Sequence, residues 1–166
     1  MNLQLLVLQI QRYRDRELLI DTNLLLLYFV GTYRPDRIRS FKRTSGYSVE
    51  DFALLEKFIC GFKRMTTTPH ILTEVSNLMD QCEEPLRSEL RGWLSAAIQG
   101  WKETSTNSRT LAKARHFPRF GLTDTAIADL APASCLILTA DRPLAGLLEA
   151  KGLAVIRFSD LQSICL

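Results

Sequence analysis

Unbroken apolar runs alternate along this chain with apolar positions at helical spacing, and the alternation predicts its architecture. Residues 17–20 and Cys135–Thr139 read as short buried strands, and Ala154–Ile156 as a third. Between Thr22 and about Val30 the chain is apolar throughout, as in a helix covered on all sides. After the start signal Ser48-Val49-Glu50-Asp51, residues Phe52, Leu55, Phe58, Ile59 and Phe62 recur at helical spacing. Thr66-Thr67-Thr68 favours a strand, and Pro69 then opens a helix carrying Ile71, Val75, Leu78 and Met79. Pro85 opens another, whose stripe of Leu86, Leu90, Trp93, Leu94, Ala97, Ile98 and Trp101 assigns both tryptophans to the core or to helix packing. A further helix starts near Pro143. Strands alternating with helices predict an α/β protein: a three-layer α/β/α sandwich around a mostly parallel central sheet.

The breaks in this pattern are informative too. Residues 2–13 fit either an amphipathic helix or an added strand, and residues 1–16 form an extension ahead of a domain spanning 17–166. Residues 31–49 hold Gly31, Pro35 and Gly46 together with Arg34, Arg37, Arg39, Lys42 and Arg43, and predict a long, mobile polar connection. Residues 102–108 are a polar break. With 166 residues, 46% of them hydrophobic and 23% charged, the chain has material for one core and is not disordered in bulk. A net charge of +3 suits an anionic partner without requiring one. The four cysteines lack close spacing and only His70 and His116 accompany them, which argues against zinc. Cys165 is expected to be exposed. Neither a secretory leader nor a run of about 20 apolar residues is present, so a cytoplasmic protein without membrane attachment is expected.

Four acidic residues lie where strand-like runs meet helix-like runs: Asp21, Glu74, Asp124 and Asp141. In a parallel sheet the carboxyl ends of the strands share a crevice, so acids spread over 120 positions can meet there. Carboxylates at close quarters repel, and a divalent cation relieves them. Each acid also has an ordinary alternative, since Asp21, Asp124 and Asp141 can cap helices and Glu74 can face solvent. Asp129 lies about 140° round a helix from Asp124 and belongs to the surface; Asp80 likewise departs from Glu74.

Taken in order, the four segments resemble the acidic motifs of the PIN-domain nucleases. They are Ile20-Asp21-Thr22-Asn23-Leu24-Leu25, Thr68-Pro69-His70-Ile71-Leu72-Thr73-Glu74-Val75, Leu122-Thr123-Asp124-Thr125-Ala126-Ile127-Ala128 and Leu138-Thr139-Ala140-Asp141-Arg142-Pro143-Leu144-Ala145. The resemblance implies a PIN-like domain over residues 17–166 that hydrolyses RNA with Mg²⁺ or Mn²⁺. Asp21, Glu74, Asp124 and Asp141 would hold the metal and carry catalysis, and such hard oxygen ligands suit those ions. Thr22, Asn23 and Thr139 would position a carboxylate, water or phosphate, although Thr22 can equally serve helix-end amides. Arg34, Arg37, Arg39, Lys42 and Arg43 are either a solvated loop or contacts to RNA phosphates, and Arg109, Lys113, Arg115 and Arg119 are candidates for the same channel. The resemblance further implies the toxin of a bacterial toxin–antitoxin pair, similar to the VapC type, working as a homodimer and blocked by a protein antitoxin. The alternatives are a nuclease of RNA processing or defence and a non-catalytic RNA-binding scaffold. Asn23 stands where a dehalogenase-type phosphatase needs a second Asp. Arg142 follows Asp141 where a receiver domain needs a different late-strand pattern, and no phosphate loop ending in Gly-Lys-Ser/Thr occurs.

Overall fold

Burial dictates the two central strands. The computed structural model describes residues 3–163, and in it the apolar runs become β1 (Glu17–Ile20) and β4 (Cys135–Thr139), paired in parallel from Glu17↔Cys135 to Ile20↔Leu138. Every residue of β4 is buried, as a strand covered on both faces must be. β2 (Arg64–Thr67) flanks β1, β3 (Lys102–Glu103) flanks β2, and β5 (Ala154–Arg157) flanks β4. All four pairings are parallel, giving the order β3-β2-β1-β4-β5. The helices are α1 (Leu3–Tyr13), α2 (Thr22–Tyr33), α3 (Val49–Cys60), α4 (Pro69–Met79), α5 (Leu86–Gly100), α6 (Ser108–Leu111), α7 (Phe117–Leu130), α8 (Arg142–Ala150) and α9 (Phe158–Gln162). They flank the sheet, so the protein is a three-layer α/β/α sandwich with a fully parallel sheet.

Apolar α2 lies deep, with Leu24, Leu25, Leu26, Leu27, Phe29 and Val30 all buried. It packs against α3, α4 and α5. Contact with α3 is close: a Cβ added at Gly31 would lie 2.2 Å from the Phe52 ring. Residues 3–13 settle as a helix, which places Leu6 and Tyr13 in the common core while leaving Leu3, Leu5 and Leu8 exposed.

Several expectations need correction. Lys102–Glu103 is not merely a polar break but the edge strand β3, held by pairing to β2 rather than by its own residues. Trp93 is 46% exposed, whereas Trp101 packs on the core beside Phe29, its ring centroid 6.0 Å away. The covered face of α5 is the narrower line of Leu86, Leu90 and Leu94. The long polar connection after α2 is a string of turns. It starts with a 3₁₀ turn at Pro35–Arg37 and is pinned by fully buried Ile38 and Thr44, whose hydroxyl donates to the Ile38 carbonyl at 2.7 Å. Cys60 is exposed, Cys82 and Cys135 are buried free thiols, and Cys165 lies outside the described residues. Among the described residues, no helix is long and apolar enough to cross a membrane.

Candidate active site

The strand order reverses beside β1, since the chain passes from β1 to β2 on one side and reaches β4 on the other. Crevices at the carboxyl ends of strands form at such a point. Asp21 follows β1 directly, and its backbone N–H donates to the Leu138 carbonyl at 3.0 Å, so the β1–β4 pairing extends into the site. Its side chain is only 4% exposed. One carboxylate oxygen accepts from the Leu24 N–H at 2.9 Å, capping α2. The other accepts from the Ala140 N–H at 2.8 Å and from the Thr139 hydroxyl. Burial drives the Asp21 pKa upward, against the pull of these donors.

Thr139 ends β4 and ties two acids together. Its hydroxyl donates to Asp21 and accepts the Asp141 N–H at 2.9 Å. Asp141 in turn caps α8 through the Leu144 N–H at 2.8 Å. Capping and membership of the acidic group are therefore compatible for Asp21 and Asp141, because a capping carboxylate uses only part of its acceptor capacity.

Glu74 and Asp124 arrive differently from the expectation that each acid sits where a strand meets a helix. Glu74 lies within α4, on its exposed side, and its carboxylate accepts the Thr22 hydroxyl at 2.9 Å. Thr22 thus orients a carboxylate across two helices. Asp124 lies within α7, with no strand before it. Gly121 interrupts that helix at φ 72° and ψ −167°, a backbone region open essentially to glycine alone, and Asp124 belongs to the segment beyond the break. The Asp124 carboxyl is pushed up to about 6, first by burial and then by the negative charges of Asp141, Glu74 and Asp21. All three other candidate acids therefore act on it electrostatically.

Asn23 is exposed, and its side chain makes no hydrogen bond to another described residue. Among the described residues, no three Asp, Glu, His or Cys side chains already form a metal cage. The donor chemistry nevertheless suits a hard divalent ion, since all four candidates are carboxylates and the charges of three of them add to burial in raising the pKa of Asp124.

The basic candidates separate into two kinds. Arg34 is taken up by an ion pair with Asp36 at 3.0 Å, so it is not the free cation expected of a phosphate contact. Arg37, Arg39, Lys42, Arg109, Lys113 and Arg115 are exposed or half-buried and form no ion pair with another described residue. Among the described residues Arg43 hydrogen-bonds only the neutral Gln81, at 3.0 Å, and Arg119 lies over the Phe120 ring, 5.2 Å from its centroid. Beside Glu74, a cleft of about 490 Å³ is lined by His70, Thr73, Asn77, Ser108 and Leu122. Ser108 is followed directly by Arg109, while none of Arg109, Lys113, Arg115 and Arg119 lines the cleft itself.

Two residues near the acids were not legible as site residues in the sequence. Tyr47 belongs to the turn segment, and burial followed by the charges of Asp21 and Asp51 raises its pKa to about 12. Arg142 follows Asp141 directly, so adjacency to the fourth acid was its only signal. No family model matches this chain, and no curated protein matches it at a significant level.

Proposed function

We propose that the protein is a metal-dependent ribonuclease of the PIN type. What supports this most is that Asp141, Glu74 and Asp21 all lie near enough to Asp124 for their charges to add to burial in raising its pKa to about 6. Asp21, Glu74, Asp124 and Asp141 would hold Mg²⁺ or Mn²⁺. When bound, the ion supplies Lewis acidity toward a phosphoryl oxygen and a more acidic water.

The protein's own part is positioning. The amides of Leu24 and Ala140 and the hydroxyl of Thr139 hold Asp21 from three sides, and Thr22 holds Glu74. Carboxylates fixed in this way need little rearrangement when substrate arrives. Water attacks phosphorus and the 3′ oxygen leaves, so the products carry 5′-phosphate and 3′-hydroxyl ends. Cations on the turn segment and ahead of Asp124 that have no acidic partner among the described residues would offset the charge of an RNA backbone. We assign the protein the role of a cytoplasmic toxin, paired with a protein antitoxin and acting as a homodimer.

The test is cleavage of single-stranded RNA, transfer RNA and DNA by the wild type and by Asp124→Asn, with Mn²⁺, Mg²⁺ or chelator. Metal-dependent cutting of RNA that the substitution reduces by at least about 100-fold is expected. Cutting that persists in chelator, or that survives the substitution, overturns the assignment. Growth arrest on expression, relieved by Asp21→Asn, is the matching result for the toxin role.

A further inference from the structure

A second cleft, of about 450 Å³, opens beside the acids where the turn segment faces the β4–α8 junction. Its walls come from three distant parts of the sequence: Arg43 and Tyr47 from the turns before α3, Ala140 and Arg142 from the β4–α8 junction, and Ser159 and Gln162 from α9. Ala140 connects it to the site, since its N–H donates to the Asp21 carboxylate at 2.8 Å and Asp141 is the next residue.

The positive charges in this cleft have no acidic partner among the described residues. Arg157, nearby in sequence, commits its guanidinium to Glu149 at 2.7 Å, and Arg34 commits its own to Asp36. Arg142 is exposed and its side chain forms no hydrogen bond or ion pair with another described residue, and Arg43 meets only the neutral amide of Gln81. Asp51, an acid near this wall, is engaged by the Gln162 amide at 2.7 Å and by the Ser48 N–H at 2.8 Å. The phenol of Tyr47 stays protonated at neutral pH and has no acceptor among the described residues, so it is a free donor; its ring rests edge-on against buried Phe158. Two guanidinium groups, a phenol and the Ser159 hydroxyl supply donors and positive charge in a concave site, a set that fits phosphate.

From this arrangement we infer that the cleft lined by Arg43, Tyr47 and Arg142 binds a backbone phosphate of the nucleic-acid strand, next to the one positioned at the carboxylates. The inference rests on the nuclease assignment for its choice of ligand. It gives the turn segment a defined role, because Arg43 reaches the strand from a segment whose fold is set by Ile38 and Thr44. It also gives Arg142 a role distinct from that of its acidic neighbour.

The measurement is binding of a short fluorescein-labelled oligouridylate in chelator, by anisotropy, over a series of salt concentrations. The proteins compared are the wild type, Arg43→Ala, Arg142→Ala, the double variant, Arg142→Lys and the remote control Arg87→Ala, each checked by thermal melting. Each cleft substitution should lower the slope of log affinity against log salt by about 0.7, as one lost single-strand phosphate contact requires. The double variant should lose about twice that. Arg142→Lys should keep the slope and Arg87→Ala should leave it unchanged. Unaltered slopes in folded Arg43→Ala and Arg142→Ala overturn the inference, as does a wild type that does not bind the probe. Cleavage by the same proteins is scored separately. A wild type that cuts RNA with unaltered slopes removes this subsite and leaves the nuclease standing. Reduced slopes in a protein that never cuts support the phosphate subsite and remove the nuclease.

Discussion

Asp124 illustrates how one residue can be costly for the fold and useful to a site. Its carboxyl titrates near 6 when folded, above the ordinary carboxylate value of 3.8. A raised acid binds its proton more tightly in the folded state, so its favourable contribution is complete below the unfolded pKa and disappears as pH rises through about 6. At neutral pH the ionised group therefore weakens the metal-free protein, and replacing it with the neutral isostere Asn should strengthen it. Because the group is only partly buried, screening reduces the gain to on the order of 1 kcal/mol. Thermal melts in chelator should show Asp124→Asn roughly 2–4 °C above wild type at pH 7.5, with the gap closing near pH 4. A gap that is absent at pH 7.5, or constant with pH, contradicts the electrostatic account. Asp21 is more deeply buried, and its three donors oppose but do not cancel the upward push of burial on its pKa.

At the level of elements, the contact between α2 and α3 depends on the absence of one methyl group. Adding it at Gly31 brings a carbon to 2.2 Å from the Phe52 ring, well inside van der Waals contact. Gly31→Ala should destabilise the protein by about 1–3 kcal/mol, as overpacking does, although Ala is the better helix former. Phe52→Leu in the same chain should recover part of the loss. Urea titrations of the single and double variants measure this, and equal losses would exclude the Phe52 ring as the cause. The same elements show what the sequence could disclose. β1 and β4 were readable to the residue because a strand buried on both faces needs an unbroken apolar run. β3 was not, because its two polar residues become a strand only through the pairing that β2 offers. Trp93 looked like core because spacing defines a stripe but not its covered width. Of the acids, Asp21 and Asp141 followed from strand ends. Glu74 and Asp124 project from inside helices, where their convergence depends on helix packing and on the break at Gly121. The pairing of Arg34 with Asp36, two positions away, was open to inspection in the sequence as a local alternative to phosphate contact.

Across the whole molecule, cation binding and stability should be linked. An ion that binds the folded protein alone stabilises it by about 2.7 kcal/mol at a hundred times its dissociation constant. Mn²⁺ should therefore raise the wild-type melting temperature progressively, and Asp124→Asn should respond less. A melting temperature indifferent to Mn²⁺ in both proteins would argue against a carboxylate-bound ion. The order of the strands has a further consequence, for the protein's birth. β1 lies in the middle of the sheet, yet its partner on one side, β4, is made more than a hundred residues later. Until then the growing chain carries an apolar strand with an open edge, a state prone to pairing with other chains. Asp141 and the Thr139 hydroxyl that braces Asp21 emerge with or just after β4. The acidic crevice is therefore assembled only once β4 and the residues after it have been made, long after β1 and Asp21.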